Sequence, residues 1–542
     1  MKCYFRQIIS LVARVLILFT IGATSPLISG VVHANTLHVA SKSDIISLDP
    51  HALVESLQLD VLGNVYEPLV GRDRQDRLVP RLATSWRQLS PRTWRFELRK
   101  NVRFHSGESF GADDVIYSFQ RAAEPKSGIQ VFVGAVEKIT KRSEFVVDFQ
   151  LKEEIDQFPR SIAYVYIVSQ KWCASHNCAF TSEAGDAKLG ANLAFSSSGT
   201  GPYRLIERLA NQVTRFERYT GYWGNTPQVQ RVDFSVVADD TIRAQGLFDG
   251  NIDIALPFPI KAAAELGKHE NVRVEQKAEA RVLYLGMDVV SSELIGSDIR
   301  GANPFKDIRV RKAVQLAINS ETLHHEVMRG YSRTLSIMIP QGVLGYDKEL
   351  DKRPSYDPQT ARRLLKEAGY AAGFQVRMNC SNDRYLNDEA ICQAIVRDLA
   401  KIGIRVQADI EPKGVFFKKV FSKSSNFYLI GAATNSGDGQ NIVFPVLGTP
   451  SENGRGELNF GGYRNDRIDH LLERLNGEKN STMRRKLFSE VLRLQLDDLA
   501  QIPLHQQILL TGVRKDLTIF ISPENGVPWR FVEFSKTHQK KL

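Results

Sequence analysis

Residues 94–104 (WRFELRKNVRF) alternate apolar and polar, the period of two expected of a strand with one buried face. The alternation returns at 145–149 (FVVDF), and a short apolar strand opens at 37–40 (LHVA). Between the first two lies a turn at His105-Ser106-Gly107 and then a helix over about 112–122. Gly111 stands at its N-cap, with Asp113 and Asp114 in the first turn, where the helix dipole favours negative charge. Turn formers crowd 196–202 (SSSGTGP), and strands at 203–209 and 213–219 flank Asn211 as a hairpin. Residues 306–319 read as an amphipathic helix. A second helix is bounded by Asp357 as N-cap, Pro358 at its first position and Gly369 just past its end. A third spans 387–402, stops at Gly403 and feeds a strand at 404–410. Helices and strands mix throughout, so the class is α/β or α+β, without internal repeats or low-complexity tracts.

The first residues change the picture from fold to compartment. Lys2, Arg6 and Arg14 carry positive charge, residues 1–34 hold no acid, and the apolar run 15–23 (VLILFTIGA) is too short to span a bilayer. Val32-His33-Ala34 then offers a small-residue cleavage pattern, so 1–34 is read as a signal peptide, the alternative being a retained membrane anchor. No cysteine follows the cleavage point to take a lipid anchor. Residues 35–542 are long enough for about three domains or two large lobes and for a core that needs no disulfide staples.

Charge excludes one class of partner. The chain carries 71 Lys and Arg against 61 Asp and Glu, a net of +10. The basic residues are scattered in short clusters such as Arg484-Arg485-Lys486, and no basic stripe interleaves with aromatics, which speaks against nucleic-acid binding. A loose preference for an anionic surface or ligand remains. Beyond the signal, Cys173, Cys178, Cys380 and Cys392 allow two disulfides in an oxidising compartment, with three connectivities. The sequence-local pairing favours Cys173–Cys178 first and Cys380–Cys392 second, against buried thiols. The spacing is poor for zinc.

One catalytic motif presents itself. Gly107-Glu108-Ser109-Phe110-Gly111 matches G-x-S-x-G between a strand and a helix, as a serine-hydrolase nucleophile elbow does. The plainer reading is a turn in which Gly111 starts the helix. The alternating strand before it is unlike the fully buried strand of such enzymes. No P-loop, H-E-x-x-H or paired C-x-x-C accompanies it.

A longer set of motifs carries a resemblance. Asn64-Val65-Tyr66-Glu67-Pro68-Leu69-Val70 is followed by Leu78-Val79-Pro80-Arg81-Leu82-Ala83-Thr84-Ser85-Trp86, then by Trp94-Arg95-Phe96-Glu97-Leu98 and Val102-Arg103-Phe104-His105-Ser106-Gly107. Far downstream come Asp307-Ile308-Arg309-Val310-Arg311-Lys312-Ala313, Tyr356-Asp357-Pro358 and Ile502-Pro503-Leu504-His505. In this order they resemble the family 5 extracellular solute-binding proteins of the dipeptide- and oligopeptide-binding type. The resemblance implies an α/β, two-lobed periplasmic binding protein of type II, in the large form with an extra subdomain in lobe one. Carried over, lobe one comprises 35–60, 190–280 and 505–542, its inserted subdomain 61–189, and lobe two 281–504. It further implies a monomeric, non-enzymatic periplasmic protein without cofactor, which captures a peptide-like small molecule and passes it to an ABC permease in the inner membrane. Alternatives are the secreted hydrolase using Ser109, or a chaperone-like or sensory protein on the same scaffold.

The resemblance also nominates site residues. In peptide-binding relatives an Arg meets the ligand carboxylate, and Asn382-Asp383-Arg384-Tyr385 resembles that region, making Arg384 the candidate. The alternative is an Arg384 ion-paired within its lobe to Asp383 or Asp388. The acid that meets the amino group falls at Asn435, which cannot neutralise an ammonium ion. Asp438 either supplies that charge or caps the following segment. Tyr284 and Ser56 are candidates for lining the cleft, against packing or loop roles, and Trp529 for stacking on a ligand, against a place in the core.

Overall fold

The computed structural model describes residues 35–73, 77–155, 157–176, 178, 193, 196–434, 437–451, 454–522 and 526–535. The signal segment 1–34 and Asn435 therefore lie outside the described residues. Among those described, no helix is long and apolar enough to cross a membrane.

One long strand, Gln501–Arg514, organises a sheet of twelve strands among the described residues. Its first part pairs antiparallel with Arg281–Met287. Beyond that strand follow Phe427–Ala433, Phe374–Ser381 and Ile404–Glu411, the last two paired in parallel. Its second part pairs with Val272–Ala278 on one side and Ile254–Leu256 on the other. Past Ile254–Leu256 come Thr36–Ser41, Arg231–Val236 and the hairpin Tyr203–Leu209/Val213–Arg218. The sheet thus has two halves joined through a single chain segment. All seven residues of Arg281–Met287 are buried, as a central strand covered on both faces requires. Gly286 on that strand is forced: a Cβ there would sit 2.1 Å from the Tyr428 ring.

A separate antiparallel sheet runs Ala83–Ser90, Thr93–Leu98, Val146–Leu151, Val136–Ser143. Trp94, Phe96 and Leu98 point to its core, where Phe149 meets Phe96 edge-on at 5.2 Å and Phe119 at 4.9 Å. Phe119 comes from the helix Ala112–Ala122, which begins after Gly111 with the Asp114 carboxylate accepting the Gly111 N–H at 2.9 Å. The alternation over 94–104 predicts a longer strand than forms. Pairing stops at Leu98, and Asn101 takes a left-handed φ of 61° that turns the chain out of the sheet.

Other elements follow their punctuation. Asp357 accepts the Thr360 N–H at 2.9 Å and starts the helix Pro358–Glu367, and Gly369 follows at φ 92°. The helix Asp388–Ala400 ends before Gly403 at φ 89°, and Ile404–Glu411 follows. The amphipathic stretch at 306–319 is helical over Ile308–Ala317, capped by Asp307.

Of the two expected cysteine pairings the second forms and the first does not. Cys380, on the strand Phe374–Ser381, is bonded to Cys392, on the helix Asp388–Ala400, with Cα atoms 6.4 Å apart. Cys173 and Cys178 are buried free thiols. Short spacing favours the tighter loop, but folding a helix back over its preceding strand brings the more distant pair into range. Trp529 is a core residue, 1% exposed, edge-on to Tyr203 at 5.7 Å and 5.0 Å from Phe216.

We expect iodoacetamide, applied to denatured but unreduced protein, to label Cys173 and Cys178 and to spare Cys380 and Cys392 until reduction. By loop entropy the bridge contributes about 3 kcal/mol. Cys392→Ser should lower the denaturant midpoint accordingly.

Candidate functional site

A cavity of about 100 Å³ opens where the two halves of the sheet face each other. Lys42, Glu55 and Ser56 reach it from one side and Asp383 and Arg384 from the other. Glu279 stands at the crossing between Val272–Ala278 and Arg281–Met287. Its floor is the middle of the common strand, Gln507 to Thr511.

The segment bearing Glu55 is fixed by a buried ion pair. Arg121, on Ala112–Ala122, holds Asp49 bidentately at 2.6 and 2.8 Å. It also donates to His51 Nδ1 at 3.0 Å, while His51 Nε2 donates to the Tyr166 carbonyl. Burial, with Arg121 adding to it, lowers the His51 pKa to about 4, so the ring is neutral at pH 7. Six residues on, Glu55 is the N-cap of the helix Ser56–Leu62, its carboxylate accepting the Gln58 N–H at 3.0 Å.

Glu55 is also where the two sides meet. Its side chain is 2% exposed, with one oxygen 3.4 Å from Arg384 Nε and the other 3.5 Å from Lys413 Nζ. Burial alone would raise its pKa. Lys413, Arg384 and the N–H groups of Gln58 and Leu57 outweigh that and hold it at about 2.

Arg384 lies on a turn shaped by Asp388, the first residue of its helix. The Asp388 carboxylate accepts the backbone N–H groups of Arg384 and Tyr385 at 2.9 and 3.0 Å and the Ser381 hydroxyl at 2.9 Å. Lys42 approaches the same carboxylate at 3.5 Å from the opposite side of the cavity. The Arg384 guanidinium stands 5.0 Å over the Tyr385 ring. Its ion-pair partner is therefore Glu55, not Asp383 or Asp388. The contact at 3.4 Å is not aligned as a hydrogen bond, and Arg384 Nε is buried without a hydrogen-bond partner among the described residues. Burial works against its charge, yet Glu55, Tyr385, Glu279 and Asp388 raise its pKa above the ordinary arginine value, so it is cationic.

The other nominated residues divide. Ser56 lines the cavity, and its hydroxyl accepts Arg281 Nη2 at 2.9 Å. Tyr284 does not line it. It is 1% exposed in the hydrophobic core of the second half, beside Tyr428 and Ile430, and is a packing residue. Asp438 does not line the cavity: it accepts the Gln440 N–H at 2.9 Å just before the helix Gln440–Leu447, whose N-cap is Gly439, and pairs with Arg484 at 2.7 Å. Ser109 is exposed, in a bridge with Arg103, and no histidine or acid hydrogen-bonds to it among the described residues. Glu55, Lys42, Glu279, Asp383 and Lys413 went unrecognised in the sequence. Only Glu55 leaves a trace there, as the residue before a helix, and glutamate is not among the usual N-cap types.

Glu55 makes the protein sensitive to acid in a defined window. Its folded pKa of about 2 lies below its ordinary 4.5, so its stabilisation is complete above pH 4.5 and is lost as pH falls toward 2. Glu55→Gln leaves Arg384 and Lys413 without their carboxylate. We expect it to cost about 3 kcal/mol at pH 7 and to flatten the fall in melting temperature between pH 4.5 and 2. A variant melting like the unmodified protein at pH 7 would refute the pairing.

Comparison with known proteins places this geometry in a family. The profile described as bacterial extracellular solute-binding proteins, family 5 Middle, matches residues 77–454. The glutathione-binding protein GsiB of Escherichia coli O1:K1 is 26% identical over 516 residues, covering 93% of this chain and 95% of that one. Among solved structures, the periplasmic binding protein DppA of Helicobacter pylori in complex with the peptide STSA superposes with a TM-score of 0.81 at 21% identity. That match covers 92% of this chain and 98% of that one. The dipeptide-binding protein of Pseudoalteromonas sp. SM9913 in complex with Met-Leu gives 0.81 at 20%, covering 92% and 100%. The fold is the mixed α/β fold of the type II periplasmic binding proteins, in its large form. The chain belongs to the family 5 bacterial extracellular solute-binding proteins.

Proposed function

We propose that this protein is the periplasmic receptor of an ABC importer, capturing a short peptide or peptide-like molecule that bears a carboxylate. The observation that carries the reading is Arg384: a cationic guanidinium at a cavity, whose buried Nε, 3.4 Å from Glu55, makes no hydrogen bond to a described residue. A buried donor left unsatisfied costs roughly 1–3 kcal/mol, and a ligand carboxylate removes that cost with a charge-assisted bond. The similar proteins, named for glutathione, a peptide and a dipeptide, support the same ligand class. The cavity's volume matches about seven to ten water molecules, the scale of an amino acid or a small dipeptide.

Export rests on the basic, apolar and small-residue pattern of 1–34, and the mature protein acts as a monomer. Lobe one is taken as 35–60, 190–280 and 505–542 with 61–189 inserted, and lobe two as 281–504. Ligand contacting both lobes favours the closed form, which the permease recognises. Affinity and closure constitute the activity, and no reaction at Ser109 is involved.

Glutathione and alanyl-alanine, titrated calorimetrically and by thermal shift, test the reading. Binding of either should raise the melting temperature. Arg384→Ala should weaken it about 10- to 100-fold, the 1.5–3 kcal/mol of a charged hydrogen bond. The reading fails if neither probe binds and no amino-acid-derived molecule co-purifies with the protein by mass spectrometry.

A further inference from the structure

Asp383 precedes Arg384, lines the same cavity and carries the opposite charge. One of its oxygens, Oδ1, accepts the Lys413 backbone N–H at 2.6 Å. The other, Oδ2, has no hydrogen bond to a described residue. The remaining acids near the cavity are engaged otherwise. Glu55 spends its carboxylate on a helix N-terminus and two cations. Glu279 pairs with Arg281 at 3.2 Å. Asp388 shapes the turn and meets Lys42.

Asp383 is thus the carboxylate at the cavity with an oxygen left to give, beside the guanidinium with a donor left to give. We propose that Asp383 is a specificity-determining residue that receives the ligand's ammonium group while Arg384 receives its carboxylate. The two consecutive side chains then read a zwitterion of the amino-acid type. This rests on the carboxylate-binding reading above and extends it from an anionic group to a paired charge.

The charge balance around the cavity agrees. Lys42, Arg281, Arg384 and Lys413 face Glu55, Glu279, Asp383 and Asp388, four cations against four acids. A ligand that brings an ammonium group to Asp383 adds less net charge to that set than one that brings carboxylates alone. Burial raises the Asp383 pKa, and Lys413 and Lys42 only partly oppose it, as expected of an acid short of a cation. The assignment also supplies the amine acceptor that Asn435 cannot provide.

The experiment compares alanyl-alanine and glutathione with their N-acetylated forms, by calorimetry, on the unmodified protein and on Asp383→Asn. Asparagine keeps an acceptor for the Lys413 N–H, removes the charge and puts an NH2 donor where the second oxygen stood. On the unmodified protein, acetylation should weaken binding at least 10-fold. On Asp383→Asn the free-amine probe should weaken by a similar factor and the acetylated probe should not, so the ratio between them falls to about 1. Equal affinity of free and acetylated probes for the unmodified protein overturns the proposal and leaves the carboxylate reading standing. So does an Asp383→Asn variant that still discriminates. Failure of every free-amine probe to bind, with no amino-acid-derived molecule co-purifying, removes the ligand reading and this inference together. Should the variant not fold, the acetylation comparison on the unmodified protein decides alone.

Discussion

The strand Gln501–Arg514 is the constraint on which the rest depends. It is the one segment hydrogen-bonded to strands of both halves of the main sheet among the described residues, to Arg281–Met287 at its start and to Ile254–Leu256 and Val272–Ala278 at its end. A strand rises about 3.3 Å per residue, so the halves are held at a fixed spacing along a single ribbon. Their facing edges cannot close completely, and the middle of the ribbon becomes the floor of the cavity. The return of the chain from Ala278 to Arg281 lies beside it, which puts Glu279 and Arg281 at the same level.

What the ribbon leaves open, charge fills. The cavity is walled by side chains that would each be costly to bury alone, and each is made tolerable by a partner from the opposite side. Glu55 meets Arg384 and Lys413, Lys42 meets Asp388, and Ser56 meets Arg281. Such pairs rarely repay their full desolvation. Their value here is geometric, since they form only when the two sides approach in one register. The arrangement suits a receptor: the sides attract through Glu55, and on the proposed reading a ligand adds contacts at Arg384 that the described residues leave unmade.

Local structure was legible because its causes are local. Asp357, Pro358 and Gly369 delimit a helix through backbone geometry that needs no distant partner, and the same holds for Gly111 with Asp114 and for Gly403. Where the cause is distant, sequence reading falters. The alternation through 94–104 continues past the point at which the neighbouring strand ends, so the strand was read too long. Cys380 and Cys392 meet because a helix folds over its strand, which spacing alone does not convey. Arg384 and Ser56, nominated through resemblance to a family, both line the cavity. Tyr284 was misplaced because a strand buried on both faces gives no sign of which side faces the cleft.

Glu55 shows why the remainder of the site was hidden. In the sequence it is a single acid between Leu53-Val54 and Ser56-Leu57, with nothing to mark it as the partner of distant cations. Its burial arises from the approach of two surfaces whose residues are more than 300 positions apart, and its low pKa arises from Lys413 and Arg384 across that gap. The same approach decides what Arg384 can do. Paired to Asp388 within its own turn, it would be a structural ion. Because Asp388 instead spends one oxygen on the backbone of the turn and faces Lys42 with the other, the guanidinium pairs across the gap with Glu55, and its Nε makes no hydrogen bond to a described residue. The recognition proposed for Arg384 therefore depends as much on how the neighbouring acids are occupied as on the arginine itself.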